Sequence, residues 1–258
     1  RRLGQFGVRS PPQWQKEVWQ RTLEGRGIIC YTHRGESRSL SFIVPILEKA
    51  AREGWSTQTP AVIIESTREA AEQVFMMANQ LRENSTTVAL VYASGGAEAL
   101  HAQRALMRRG VHVVVGTPAR LRQLVDEGLL QPRQIRLLVL DGAEEVLAGG
   151  LEHDVRALMA ADAASTERRT LVFASSASQW VSEVLANEVP DAVVVDAISG
   201  QPSLPLHLQH FVCHLSGSAV RRARLIAWLL EDRLRSLEAD PTAANADASE
   251  DRSTDNRR

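Results

Sequence analysis

The sequence predicts an α/β fold in three layers, with a mostly parallel β-sheet flanked by helices, and three observations carry that prediction. Seven short apolar runs rich in β-branched residues recur along the first 196 residues. The runs are continuously apolar instead of alternating, as strands buried on both faces must be. Amphipathic stretches of helical length separate them, so each strand is followed by a crossover that covers the sheet.

Strands are expected over residues 27–31, 61–65, 87–92, 111–115, 135–141, 170–175 and 192–196. Helices are expected over 40–52, 69–81, 97–109, 152–160 and 179–187. After Asp196 the pattern changes. Residues 206–215 read as one more extended segment and 220–235 as an amphipathic helix. From Ala239 the chain is rich in Asp, Ala, Ser and Thr without periodicity, the composition of a linker or disordered tail. In parallel sheets ligands bind beyond the carboxyl ends of the strands, so the turn after each strand is where chemistry is sought.

Bulk composition narrows the class. A chain of 258 residues with 44% hydrophobic content can bury one large core, or one domain with an appendage. No apolar run reaches the roughly 18 residues of a membrane span, and no membrane partner is expected. The opening Arg1-Arg2-Leu3-Gly4 lacks a signal-peptide apolar region and an initiator Met, so the chain is read as an excerpt of an intracellular protein. Cytoplasm, nucleus and organelle, a mitochondrion included, all stay open. Cys30 and Cys213 lie in strand-like apolar contexts and indicate buried thiols, with neither a disulfide framework nor a zinc site. A net charge of −1 excludes a globally basic coat but leaves room for a local basic face. Of 30 Lys+Arg residues only Lys16 and Lys49 are lysines, a bias that touches any site normally built on lysine.

The first strand runs into Thr32-His33-Arg34-Gly35-Glu36-Ser37-Arg38-Ser39 and then a helix. A strand, a tight loop and a helix N-terminus can cradle phosphates, because backbone N–H groups and the helix dipole favour an anion. A complete phosphate loop ends Gly-Lys-Ser/Thr. Here Gly35 and Ser39 fit, while Ser37 stands at the second glycine and Arg38 at the lysine. Arg38 keeps the charge but is bulkier and planar, and Glu36 adds a negative charge beside the expected polyphosphate.

The other strand ends carry further fragments in order. Gly7-Val8-Arg9-Ser10-Pro11-Pro12-Gln13-Trp14-Gln15 precedes the first strand. Ser66-Thr67-Arg68-Glu69 follows the second, with Ser66 expected as the helix N-cap and Glu69 completing a capping box. Gly95-Gly96 follows the third strand, Thr117-Pro118-Ala119-Arg120 the fourth, Asp141-Gly142-Ala143-Glu144 closes the fifth, and Ser175-Ser176 the sixth.

Taken together, these fragments resemble the first RecA-like domain of DEAD-box RNA helicases, over about residues 3–215. The resemblance implies a RecA-like domain at 1–215, a helix over 216–238 leading toward a second such domain, and a linker or tail at 239–258. It implies ATP and Mg²⁺ as cofactors. Gln15 would read the adenine edge, with Phe6 the only upstream aromatic on offer, and residues Arg34, Gly35, Glu36, Ser37, Arg38 and Ser39 would line the phosphates. Ser39 and Asp141 would hold the metal, a hard cation that takes oxygen ligands. RNA would be contacted along its backbone by Arg68, Gly95, Gly96, Thr117, Pro118 and Arg120. Arg104, Arg108 and Arg109 could extend that surface or form a solvated helix face. Ser175 and Ser176 would couple nucleotide state to RNA.

The departure is at the hydrolytic residues. The glutamate expected after Asp141, which orients and deprotonates the attacking water, is Gly142. Glu145 is a poor substitute, since a helical turn would point it elsewhere. The expectation is therefore a catalytically impaired module that binds RNA or protein partners in a ribonucleoprotein assembly. An active ATP-dependent helicase and a pure protein–protein module are the alternatives.

Overall fold

The computed structural model describes residues 4, 10–33, 35–53, 61–92, 96–148, 152–160, 168–176, 189, 191–199, 223–229 and 231. The helix expected over 179–187, the extended segment over 206–215, the tail, Phe6 and Cys213 lie outside these residues. The chain divides into two units, Arg1–Gln201 and Pro202–Arg258. In the second, residues 223–229 are helical.

The first unit alternates helix and strand: α1 (Gln13–Leu23), β1 (Ile28–Tyr31), α2 (Glu36–Arg52), β2 (Ala61–Glu65), α3 (Arg68–Leu81), β3 (Val88–Val91) and α4 (Gly96–Arg109) come first. They are followed by β4 (Val113–Gly116), α5 (Pro118–Asp126), β5 (Leu137–Asp141), α6 (Ala143–Ala148), α7 (Glu152–Ala160), β6 (Arg169–Ala174) and β7 (Val193–Asp196). The seven strands form one sheet in the order β3-β4-β2-β5-β6-β1-β7. Every pairing is parallel, so the expected "mostly parallel" sheet is parallel throughout the described strands.

The continuous apolar runs have a direct cause. Along β2, Val62 and Ile64 join one core while Ala61 and Ile63 join the other. Leu138 and Leu140 of β5 do the same against Leu137 and Val139. Helices α1, α2 and α3 cover the second core and α4 to α7 the first, which gives the three layers. Phe42 of α2 meets Phe173 of β6 with ring centroids 5.2 Å apart in a tilted pair, anchoring the helix that follows the loop after β1. Among the described residues no helix is long and apolar enough to cross a membrane.

Candidate nucleotide and nucleic-acid site

At the carboxyl end of β1 the backbone N–H of Thr32 donates to the Ala174 carbonyl (2.9 Å), holding the loop against β6. Gly35 precedes α2 at φ 152°, a conformation open to glycine. Its carbonyl accepts from Arg38 N–H at 3.0 Å, closing the first turn. Arg34 and the side chains of Glu36 and Ser37 lie outside the described residues.

Arg38 turns inward and is 6% exposed, with its Nε 2.7 Å from Oδ1 of Asp141, itself 5% exposed. A pocket of about 280 Å³ opens there, lined by Gly35, Arg38, Ser39, Glu65, Thr67 and Asp141 among others. Arg38, Ser39 and Asp141, expected together from the motifs, thus meet. Glu65 was not foreseen. It ends β2, is buried, and sits opposite Asp141 in the β2–β5 register. Its position as the last residue of a central strand was the available signal, since the carboxyl edge is where ligands bind. As arranged, the Asp141 carboxylate neutralises a guanidinium, and this pairing does not fit a Mg²⁺ ligand.

The turn after Asp141 is built on backbone. Gly142 has φ 72°, donates its N–H to Phe173 (3.0 Å), and its carbonyl accepts from Glu145 and Val146 to start α6. A side chain at that φ is disfavoured, so position 142 is shaped for glycine as well as lacking a carboxylate. The two glutamates that follow tie the neighbouring loops. Glu144 Oε1 accepts from the Ser175 backbone N–H (3.1 Å) and from the Ser175 hydroxyl. Glu145 Oε2 accepts from the Ser66 hydroxyl at 3.0 Å. Ser176 is exposed beside them.

Thr67, not Ser66, caps α3: its hydroxyl accepts from Ala70 N–H at 3.2 Å, while Ser66 is spent on Glu145. Arg68 at the helix start is exposed, pairs with Glu72 at 2.7 Å and lies 4.3 Å over the Tyr92 ring. Gly96 opens α4 at φ 75°, and Gly95 lies outside the described residues. Thr117 precedes α5 with Pro118 at its first position, the place a missing N–H is tolerated.

Arg120 does not take its expected place at the surface. Arg120 is wholly buried, donating to Gln103 Oε1 (3.1 Å) and Gln123 Oε1 (3.0 Å) and pairing with Glu127 at 3.5 Å. Its guanidinium ties α4 to α5 and is not presented to a phosphate. Arg104 is bidentate to Glu127 (2.8 and 2.7 Å), and that bond holds the Glu127 carboxyl below the usual carboxylate range. Arg108 and Arg109 sit at the last turn of α4, away from the loops at its start. Gln15 is 1% exposed and its amide donates to Ser41 at 3.4 Å, so it joins α1 to α2 in this conformation. Trp19 reinforces that contact through Leu40 (3.2 Å).

A parallel sheet of this order, with a glycine-containing loop after β1 and an aspartate ending β5, defines a RecA-like domain. The chain belongs to the DEAD/DEAH box helicase family, whose model matches residues 12–184. It is 30% identical over 205 residues to DEAD-box ATP-dependent RNA helicase 53 of Oryza sativa subsp. japonica, covering 78% of this chain and 33% of that protein. The crystal structure of a DEAD box protein from the hyperthermophile Methanococcus jannaschii shares the fold with a TM-score of 0.66 and 23% identity, over 76% of this chain and 52% of that one. A hypothetical ATP-dependent RNA helicase from Sulfolobus tokodaii does so at TM-score 0.64 and 21% identity, over 76% and 55%. The chain spans about a third of the length of the first of these relatives.

Proposed function

We propose that this chain is the nucleotide-side half of a DEAD-box protein with impaired hydrolysis, one that holds RNA or protein partners in a ribonucleoprotein assembly. The observation that carries the reading is Gly142, which stands where water activation needs a carboxylate and has a backbone at φ 72° that disfavours one. RNA contact is supported by the exposed helix start at Thr67 and Arg68, where the positive end of the helix dipole and a cation can meet phosphate oxygens without reading sequence. The braces from Glu144 to Ser175 and from Glu145 to Ser66 support retained communication between these loops.

The test is RNA-stimulated phosphate release from ATP, alongside RNA binding at two salt concentrations. Release is expected at background, and binding is expected to weaken steeply with salt. Arg68→Ala is expected to lower the slope of log K against log salt by about 0.7. RNA-dependent turnover that disappears in Asp141→Ala would establish the active helicase instead, the activity that the rice relative's name carries.

A further inference from the structure

Asp141 is the oxygen ligand that the family resemblance reserves for Mg²⁺, yet in this chain it faces a guanidinium. Arg38 Nε lies 2.7 Å from Asp141 Oδ1, and the two side chains are 6% and 5% exposed. An arginine does not deprotonate in proteins, so this positive charge is permanent. A divalent ion approaching Asp141 would meet a fixed cation within hydrogen-bond distance of its ligand, with little water to screen the repulsion. Mg²⁺ also demands near-octahedral oxygen geometry and keeps several waters, which a buried ion pair leaves little room for.

A second observation points to what the pocket takes. Nη1 of Arg38 is buried and has no hydrogen-bond partner among the described residues. Arg38 lines the same pocket as Gly35 and Ser39, at the start of the seventeen-residue helix α2. A buried donor is normally satisfied, and the group suited to a guanidinium at a helix N-terminus is an anionic oxygen. The fork geometry allows one edge of the guanidinium to serve Asp141 and another to serve a phosphate, the bridging role a metal ion would otherwise fill.

We propose that Arg38 replaces the divalent cation, so that the pocket binds the phosphate group of a nucleotide independently of Mg²⁺. This rests on reading the pocket as a nucleotide site whose hydrolysis is impaired. Glu65 places a second buried carboxylate on the pocket wall, so ADP, with less charge, is favoured over ATP.

The experiment is ADP binding to the intact protein by calorimetry, with millimolar Mg²⁺ and with EDTA. The expected dissociation constants agree within about twofold, since no metal ligand is recruited. Asp141→Asn is expected to tighten ADP by a few fold in both buffers, because it frees the guanidinium, whereas a metal-dependent site would lose affinity in Mg²⁺. Arg38→Gln in the Asp141→Asn background, which leaves no unpaired buried charge, is expected to abolish binding. Tightening of tenfold or more by Mg²⁺, or absence of ADP binding in both buffers by folded protein, overturns the proposal. Its fate is separable from that of impaired hydrolysis. Mg²⁺-dependent binding without turnover removes only the present proposal, and turnover alongside Mg²⁺-independent binding removes only the other.

Discussion

Removing Arg120 would leave Gln103, Gln123 and Glu127 without the guanidinium that joins them across α4 and α5. Arg120→Ala is therefore expected to lower unfolding free energy by on the order of 3 kcal/mol. Arg68→Ala, at an exposed i,i+4 pair, should change it by about 0.5 kcal/mol or less. Urea unfolding curves of the two variants separate the roles, and overlapping curves would deny Arg120 its place as an internal tie. Gly142 yields a second expectation. Gly142→Glu restores the family's carboxylate by formula but places a side chain at φ 72°, a strain of roughly 1–2 kcal/mol. It should lower the urea midpoint as Gly142→Ala does, and phosphate release should stay at background in both. Neither burial nor φ was legible from the motifs. Arg120 reads as a surface cation until helices from distant stretches of chain close around it, and a glycine reads as an absence until its backbone is seen.

The elements were more legible than their contacts. The seven strands stand where the apolar runs place them, with ends moved by a residue or two, because burial on both faces writes itself into consecutive side chains. Helix α1 escaped the periodicity because its buried face carries Gln15 and Thr22 beside Val18. Arg38, Ser39 and Asp141 were grouped from their order along the chain and do line one pocket, whereas the Arg38–Asp141 contact and Glu65 needed the strand register. Gly116, at the end of β4, marks how closely the elements approach. A Cβ there would lie 2.4 Å from Val91 Cγ2 and 2.7 Å from the Val91 carbonyl oxygen of β3. Gly116→Ala is expected to lower stability by about 1–3 kcal/mol. Val91→Ala should rescue only part of the loss, since the backbone oxygen stays in place. A thermal melt of the two single variants and the double variant checks this, and full rescue would assign the clash to the side chain alone.

At the scale of the whole molecule, the central strands are sealed from water, and Cys30 reports on that seal. Burial pushes its thiol up from 9.0 to about 12, so it remains protonated in the folded chain at any neutral pH. Because the folded form holds the proton more tightly, the associated stability is intact below about pH 9 and declines as pH rises toward 12. Unfolding midpoints at pH 8 and pH 10 should fall with pH, and Cys30→Ala should flatten that fall. Peptide mapping after treatment with a thiol reagent should find Cys30 labelled only in denatured protein.

The strand order also governs how the molecule is made. β1 lies between β6 and β7, so a segment ending at Tyr31 takes its neighbours from Arg169–Ala174 and Val193–Asp196. At ribosomal speeds of about 5–20 residues per second, roughly 7–30 s separate the emergence of β1 from that of β6. Throughout that interval Ile28, Ile29 and Cys30 have no sheet to enter. Strand β1 is thus among the first made and among the last seated. The pocket lined by Arg38 and Asp141 can exist only once synthesis of the domain is nearly complete, and the apolar segment behind it is a natural client for chaperones until then.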